Sequence, residues 1–111
     1  MFMDRKDLID YLNEKLDTKL FLNQINPEIE KYKTGLKKIG GSAPIIFDGD
    51  KGFINITSFH LEKLKRDLYN NRVDCFFASY VSDALLLSEN SVFENDKIKD
   101  DFESLTEYPF N

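Results

Sequence analysis

Tryptophan is absent, and cysteine and histidine occur once each, as Cys75 and His60. One cysteine cannot form an internal disulfide. One histidine with one cysteine cannot supply a Cys/His zinc set within a single chain. No apolar run approaches the ~20 residues that span a bilayer. The opening stretch "MFMDRKDLIDYLNEK" interleaves charge with apolar residues and is no secretory core region, so a reduced cytoplasmic setting is expected. With three prolines there is no Pro-rich linker, and neither a low-complexity stretch nor an internal repeat is expected. Glycine-rich phosphate loops are missing as well: "TGLKKIGGS" closes a helix instead of opening one. No strand–Gly-x-Ser-x-Gly–helix context exists for a serine nucleophile. A glycosidase would need an aromatic-lined sugar cleft, for which a chain of 111 residues without tryptophan has little room.

What the chain does have is apolar and acidic matter. Residues are 41% hydrophobic and 14% aromatic, enough for a core, and the length suits one domain, 1–111. The net charge of −5 is unevenly placed. Residues 1–43 carry eight basic and seven acidic groups, and residues 44–72 carry five and four. Residues 73–111 carry two basic and nine acidic groups, more than the whole surplus. Such an asymmetry bears on partners and association rate and argues against nucleic acid as a ligand.

The periodicity predicts a mainly α (α+β) fold of about five helices with one small β-hairpin. Leu8, Leu12, Leu16 and Leu20 recur every four residues through 4–20, with Asp4 as N-cap. A second helix is expected from Pro27, capped by Asn26, carrying Ile29, Tyr32, Leu36 and Ile39 up to Gly40-Gly41. Two β-prone runs flank "DGDKG" within 44–57, the hairpin signal. Residues 57–71 form a helix capped by Thr57 or Ser58, with Leu61, Leu64 and Leu68 inward. Residues 72–90 are apolar over most of their circumference, through Phe76, Phe77, Tyr80, Val81, Ala84, Leu85 and Leu87, which suggests the central helix. Residues 94–106 close the chain as a helix.

Three stretches invite chemistry. "DGDKG" starts like a calcium loop, but the calcium-loop spacing puts Gly52 at the fifth position, Phe53 where glycine belongs and Phe59 where the bidentate glutamate belongs. A turn is the simpler reading. A Cys75–His60 nucleophilic pair is weakened by the apolar setting of Cys75, where a free cysteine behaves as a small hydrophobe. "NIT" at 55–57 matches a glycosylation sequon, without meaning in the cytoplasmic setting expected above. No catalytic residue, metal or cofactor is expected.

The third is "SVFENDKIKDDFESLTEY" (91–108), with Glu94, Asp96, Asp100, Asp101, Glu103 and Glu107 against two lysines. At 3.6 residues per turn, Asp96, Asp100, Glu103 and Glu107 fall within roughly 60° of arc. Ile98, Phe102 and Leu105 take the opposite side. Like charges at i,i+4 cost a few tenths of a kcal/mol, and Glu103 and Glu107 oppose the helix dipole. A solvated face is one reading of this ridge; the other is a docking surface for a basic partner.

Residues 54–111 resemble the layout of immunity proteins of contact-dependent growth inhibition (CDI) systems. The pieces that carry the resemblance are the helix from Thr57 to Asn70, "YVSDALLLSE" (80–89), "VFEN" (92–95) and "LTEYPFN" (105–111). The family pattern follows the closing proline with an acidic residue, where this chain has Phe110. The resemblance implies a non-enzymatic, cytoplasmic protein that binds the C-terminal domain of a cognate toxin, often a nuclease, in a 1:1 complex without nucleic acid or membrane. Asp96, Asp100, Glu103 and Glu107, with Glu94 and Asp101 beside them, are then the partner-binding residues. Tyr108 and Phe110 are candidate apolar anchors. A phage-type or host-encoded acidic inhibitor or adaptor of a nucleic-acid-processing enzyme would share the acidity; the neighbouring genes separate the two.

Overall fold

A computed structural model describes residues 2–39, 46–48, 53–88 and 90–107, with side chains for 4–34, 53–88 and 90–107. Among the described residues, five helices and four three-residue strands follow in the order β1 (Phe2–Asp4), α1 (Arg5–Leu12), α2 (Thr18–Ile39), β2 (Ile46–Asp48), β3 (Ile54–Ile56), α3 (Ser58–Tyr69), α4 (Cys75–Leu87), β4 (Ser91–Phe93) and α5 (Asp96–Glu107). The expected mainly helical class with a minor β element is what is found.

The strands do not form the expected hairpin. β1 pairs in parallel with β2, Phe2 opposite Ile46, and β3 pairs in parallel with β4, Ile54 opposite Ser91. Parallel pairs need a crossover, and two helices supply each one. Residues 49–52, the presumed hairpin turn, lie outside the described residues. The chain is therefore two successive β–α–α–β units followed by α5.

The helix expected over 4–20 is two helices. Asp4 does cap α1, accepting the Asp7 N–H at 3.1 Å. α1 ends at Leu12, and Glu14 turns the chain with φ 62°. Asp17 then caps α2, its Oδ2 accepting the N–H groups of Lys19 at 3.1 Å and Leu20 at 3.3 Å. The break leaves Leu20 exposed, outside the stripe to which its spacing assigned it. Pro27 opens no helix and stands inside α2 on the solvent side. An interior proline costs about 3 kcal/mol. The stripe Phe21, Ile25, Ile29 and Tyr32 is buried on both sides of it, and each such side chain contributes roughly 1.5–3 kcal/mol. Burial outweighs local propensity here. Leu36, Ile39 and Gly40-Gly41 fall outside the described side chains.

The α1–α2 and α3–α4 joints share one construction, so an internal repeat is present after all. Asn13 and Asn70 close the first helices, each followed by a residue with positive φ, Glu14 at 62° and Asn71 at 58°. In one joint the N–H groups of Asn13, Glu14, Lys15 and Leu16 donate to the carbonyls of Ile9, Tyr11, Asp10 and Asp10. In the other, Asn70, Asn71, Arg72 and Val73 donate to Arg66, Leu68, Asp67 and Asp67, the same bonds at a constant offset. Asp17 and Asp74 then cap the second helices, Asp74 accepting the Phe77 N–H at 2.9 Å. "NEKLD" (13–17) and "NNRVD" (70–74) carry the motif, with Lys6-x-x-x-Asp10 and Lys63-x-x-x-Asp67 upstream.

α4 is the central helix, as its composition predicts. Phe77, Ala78, Tyr80, Val81, Ala84 and Leu85 are buried, whereas Phe76 is half-buried and Leu87 exposed. The buried apolar side chains of all five helices and of β3 form one cluster. Tyr11 stacks on Phe21 with ring centroids 4.8 Å apart, and both meet Phe77 edge-on. In α3, Leu61 and Leu64 are buried and Leu68 partly so. Polar links tie the helices together: the Tyr32 hydroxyl lies 2.6 Å from Ser79 Oγ and donates to Asp83, and Ser79 donates to the Thr106 carbonyl at 3.2 Å. Among the described residues no helix is long and apolar enough to cross a membrane.

Candidate functional site

α5 is held by its apolar side. Ile98, Phe102 and Leu105 are buried, α4 is its most extensive neighbour, and Phe102 meets Phe93 of β4 with ring centroids 5.9 Å apart. Its first turn is tied by the Asn95 carboxamide, which accepts the Ile98 N–H at 2.9 Å. The helical period therefore turns Asp96, Asp100, Glu103 and Glu107 outward, and all four are exposed. Among the described residues, none of these four carboxylates enters an ion pair or a side-chain hydrogen bond. The ridge exists as a surface.

Two of the other candidates are engaged elsewhere. Asp101 lies about 140° around the helix from Asp96 at 100° per residue. It is half-buried beside α3 and pairs with Lys65 at 3.8 Å and Lys97 at 3.2 Å. Glu94 is exposed but is spent as a cap, accepting the Ser58 N–H of α3 at 3.0 Å. Asp101 thus stands apart from the ridge, and Glu94 marks its border with α3. Tyr108 and Phe110 lie outside the described residues.

The densest charge cluster in the interior was not anticipated. Asp67 of α3 is fully buried and accepts from the Tyr11 hydroxyl at 2.7 Å and the Thr18 hydroxyl at 2.9 Å. Lys63 Nζ lies 3.0 Å from the same carboxylate, 2.9 Å from Thr18 Oγ1 and 4.9 Å from the centre of the Tyr11 ring. Burial by itself would raise the Asp67 carboxyl pKa. The bonds from Tyr11, Lys63 and Thr18 and the Lys63 charge win, and hold it below the usual value. Its other oxygen, Oδ1, has no hydrogen bond and faces Arg72 Nη1 at 3.6 Å. A hollow of about 460 Å³ lies against this cluster, lined by Asp17, Thr18, Lys19, Leu22 and Arg72. Chemically the cluster is closed. The ammonium donates to both neighbours and the Thr18 hydrogen is taken by Asp67, so neither is a free base or nucleophile. The sequence signal was the Lys63–Asp67 spacing of four beside the Leu61–Leu64 stripe.

His60 and Cys75 are separate. The His60 Nδ1 accepts the Thr57 N–H at 3.1 Å, which places the ring proton on Nε2, 2.8 Å from Asn13 Oδ1. Partial burial lowers the His60 pKa. Cys75 is half-buried at the first position of α4. Among the described residues no three His, Cys, Asp or Glu side chains converge as a metal set.

The chain matches no protein-family model, no curated protein and no solved structure.

Proposed function

We propose that this chain is an immunity protein of the contact-dependent growth inhibition type, which binds the cognate toxin domain one to one in the cytoplasm and holds it inactive. One observation carries the reading: a rigidly seated helix presents four carboxylates, Asp96, Asp100, Glu103 and Glu107, that its own fold leaves unneutralised among the described residues. Such an arrangement costs the free protein a little stability through like-charge repulsion. It repays that cost only against a positive surface. A nuclease toxin has one, because it must hold phosphates. Opposed charge accelerates capture, and capture must outrun the toxin's own turnover.

Co-expression with the toxin domain encoded immediately upstream tests the pairing, with a stable 1:1 complex as the expected product. Reversing charge at Asp96→Lys, Asp100→Lys and Glu103→Lys should lower the association rate about tenfold or more at low salt, with an unchanged melting temperature. Equal association rates for the variant and the parent protein at low salt remove the ridge from the interface.

A further inference from the structure

Charge steers a partner, but affinity in tight complexes comes from a few desolvated apolar anchors. α5 offers none among its described residues, since its apolar side is buried. Exposed apolar groups do stand on β4, which precedes α5, on its partner strand β3 and at the start of α3. Phe53, just before β3, is 75% exposed, and Phe59, in the first turn of α3, is 51% exposed. On the β3–β4 pair, Ile54 and Ile56 turn into the core, so Asn55 and its partner Val92 face outward, and both are exposed. The Phe59 ring lies 5.8 Å from the His60 ring. His60 and Phe53, with Ile9 and Leu12 of α1, wall a cleft of about 320 Å³ between α1 and β3. That volume falls at the lower end of ligand-binding clefts, roughly 300–1,000 Å³.

The walls define what fits. Both His60 nitrogens are already bonded, to the Thr57 N–H and to Asn13 Oδ1, so the ring presents a face and no free donor. Among the described residues no Asp, Glu, Lys or Arg lines the cleft, whose polar walls are the side chains of Asn13 and Asn55. An apolar side chain suits it. The border with the acidic face is direct: Glu94 bonds the Ser58 N–H, the residue next to Phe59, and Asp96 opens the ridge two residues further on. Charge complementarity therefore specifies the occupant's surroundings as basic.

We infer that the Phe53–His60 cleft, with Phe59 beside His60 and Val92 paired to Asn55, is the apolar anchor site of the toxin interface, and that it receives an aromatic or aliphatic side chain flanked by lysine or arginine on the toxin domain. This inference rests on the immunity reading. The cleft controls how long the complex lasts and the α5 face controls how fast it forms.

The experiment is binding kinetics of the full chain with the upstream toxin domain at low and high salt. A Phe53→Ser/Phe59→Ser variant removes two exposed rings and should keep its melting temperature. Its dissociation rate should rise about tenfold or more at both salt concentrations, with the association rate unchanged. Asn55→Trp, which sets bulk over the cleft and keeps both rings, should do the same. The α5 charge reversals should show the opposite pattern. Dissociation rates equal to the parent's for both cleft variants overturn the anchor site and leave the immunity reading standing. Absence of any complex with the unaltered chain overturns both.

Discussion

The two helix–helix joints have the same backbone and opposite surroundings. Lys6–Asp10 and Lys63–Asp67 sit at matching positions before matching turns. The first pair is at the surface, with side chains 79% and 29% exposed and 3.4 Å between them; in the second they are 8% and 0% exposed and 3.0 Å apart. The difference arises from what covers each joint. Asp67 is roofed by Tyr11 and Thr18, which belong to the first unit. Among the described residues Asp10 has no such cover, and only Lys6 answers it. A local motif thus fixes the path of the chain, while its charged pair acquires meaning only from the other unit. The buried pair is one polar weld between the two halves of the molecule, beside the Tyr32–Ser79–Asp83 and His60–Asn13 links.

The largest effect should come from breaking that contrast. Asp67→Ala strands the Lys63 charge in the interior and should cost about 3–5 kcal/mol in urea denaturation. Asp10→Ala, its counterpart at the surface, should stay within ~1 kcal/mol. Asp67 also predicts a pH signature. A carboxyl held below its unfolded value, about 3.9, contributes stability above that pH and loses it as the pH falls through the folded value. Acid unfolding of Asp67→Ala should therefore lack this component in the region below about pH 4. An intermediate effect tests the likeness instead of the contrast. Asp17→Ala and Asp74→Ala remove equivalent caps, and each should cost about 1 kcal/mol by the same measurement. Clearly unequal losses would show that one cap is held by packing alone. The smallest effect sharpens the comparison of turns. Glu14 and Asn71 share a left-handed conformation that asparagine adopts at less cost than glutamate. Glu14→Gly relieves the positive φ but also removes the exposed Glu14–Arg66 ion pair, so its net change should stay within about 1 kcal/mol, whereas Asn71→Gly should change it little.

Legibility in the sequence followed the range of the signal. α5 was readable because Ile98, Phe102 and Leu105 and the four acids fall on opposite sides of one short helix, and no distant residue is needed to place them. α4 was readable from its apolar circumference. The break at 13–17 was hidden because Leu8, Leu12, Leu16 and Leu20 keep helical spacing across it, although "NEKLD" repeats the "NNRVD" at which the later helix was correctly ended. Pro27 misled for the complementary reason: its local signal is strong, but Phe21 and Ile25 on one side and Ile29 and Tyr32 on the other bury a common stripe. Three-residue parallel strands carry almost no local signal, since their partners lie beyond two helices. The turn-rich "DGDKG" pointed to the nearest pairing. Burial of Lys63 and Asp67 is set by Tyr11 and Thr18, some fifty residues away, and the cleft beside Phe53 depends on α1, equally remote. In the candidate site, the charged face was therefore visible and the cleft beside Phe53 was not.

The link among Tyr32, Ser79, Asp83 and the Thr106 carbonyl comprises three contacts. With Asp83 ionised, only two hydrogens are present to fill them, one on each hydroxyl. Some link is then always a meeting of lone pairs. A proton on Asp83 brings the number to three and lets every contact point the same way, from Asp83 through Tyr32 and Ser79 to the end of α5. Burial raises the Asp83 carboxyl pKa, and donation from Tyr32 lowers it by less. A group raised above its unfolded value adds stability that is complete below that value and fades as pH climbs through the folded one. With that proton in place the seat of the acidic helix gains a hydrogen that rising pH withdraws, and Asp83→Asn, whose amide carries its own, would make that part permanent.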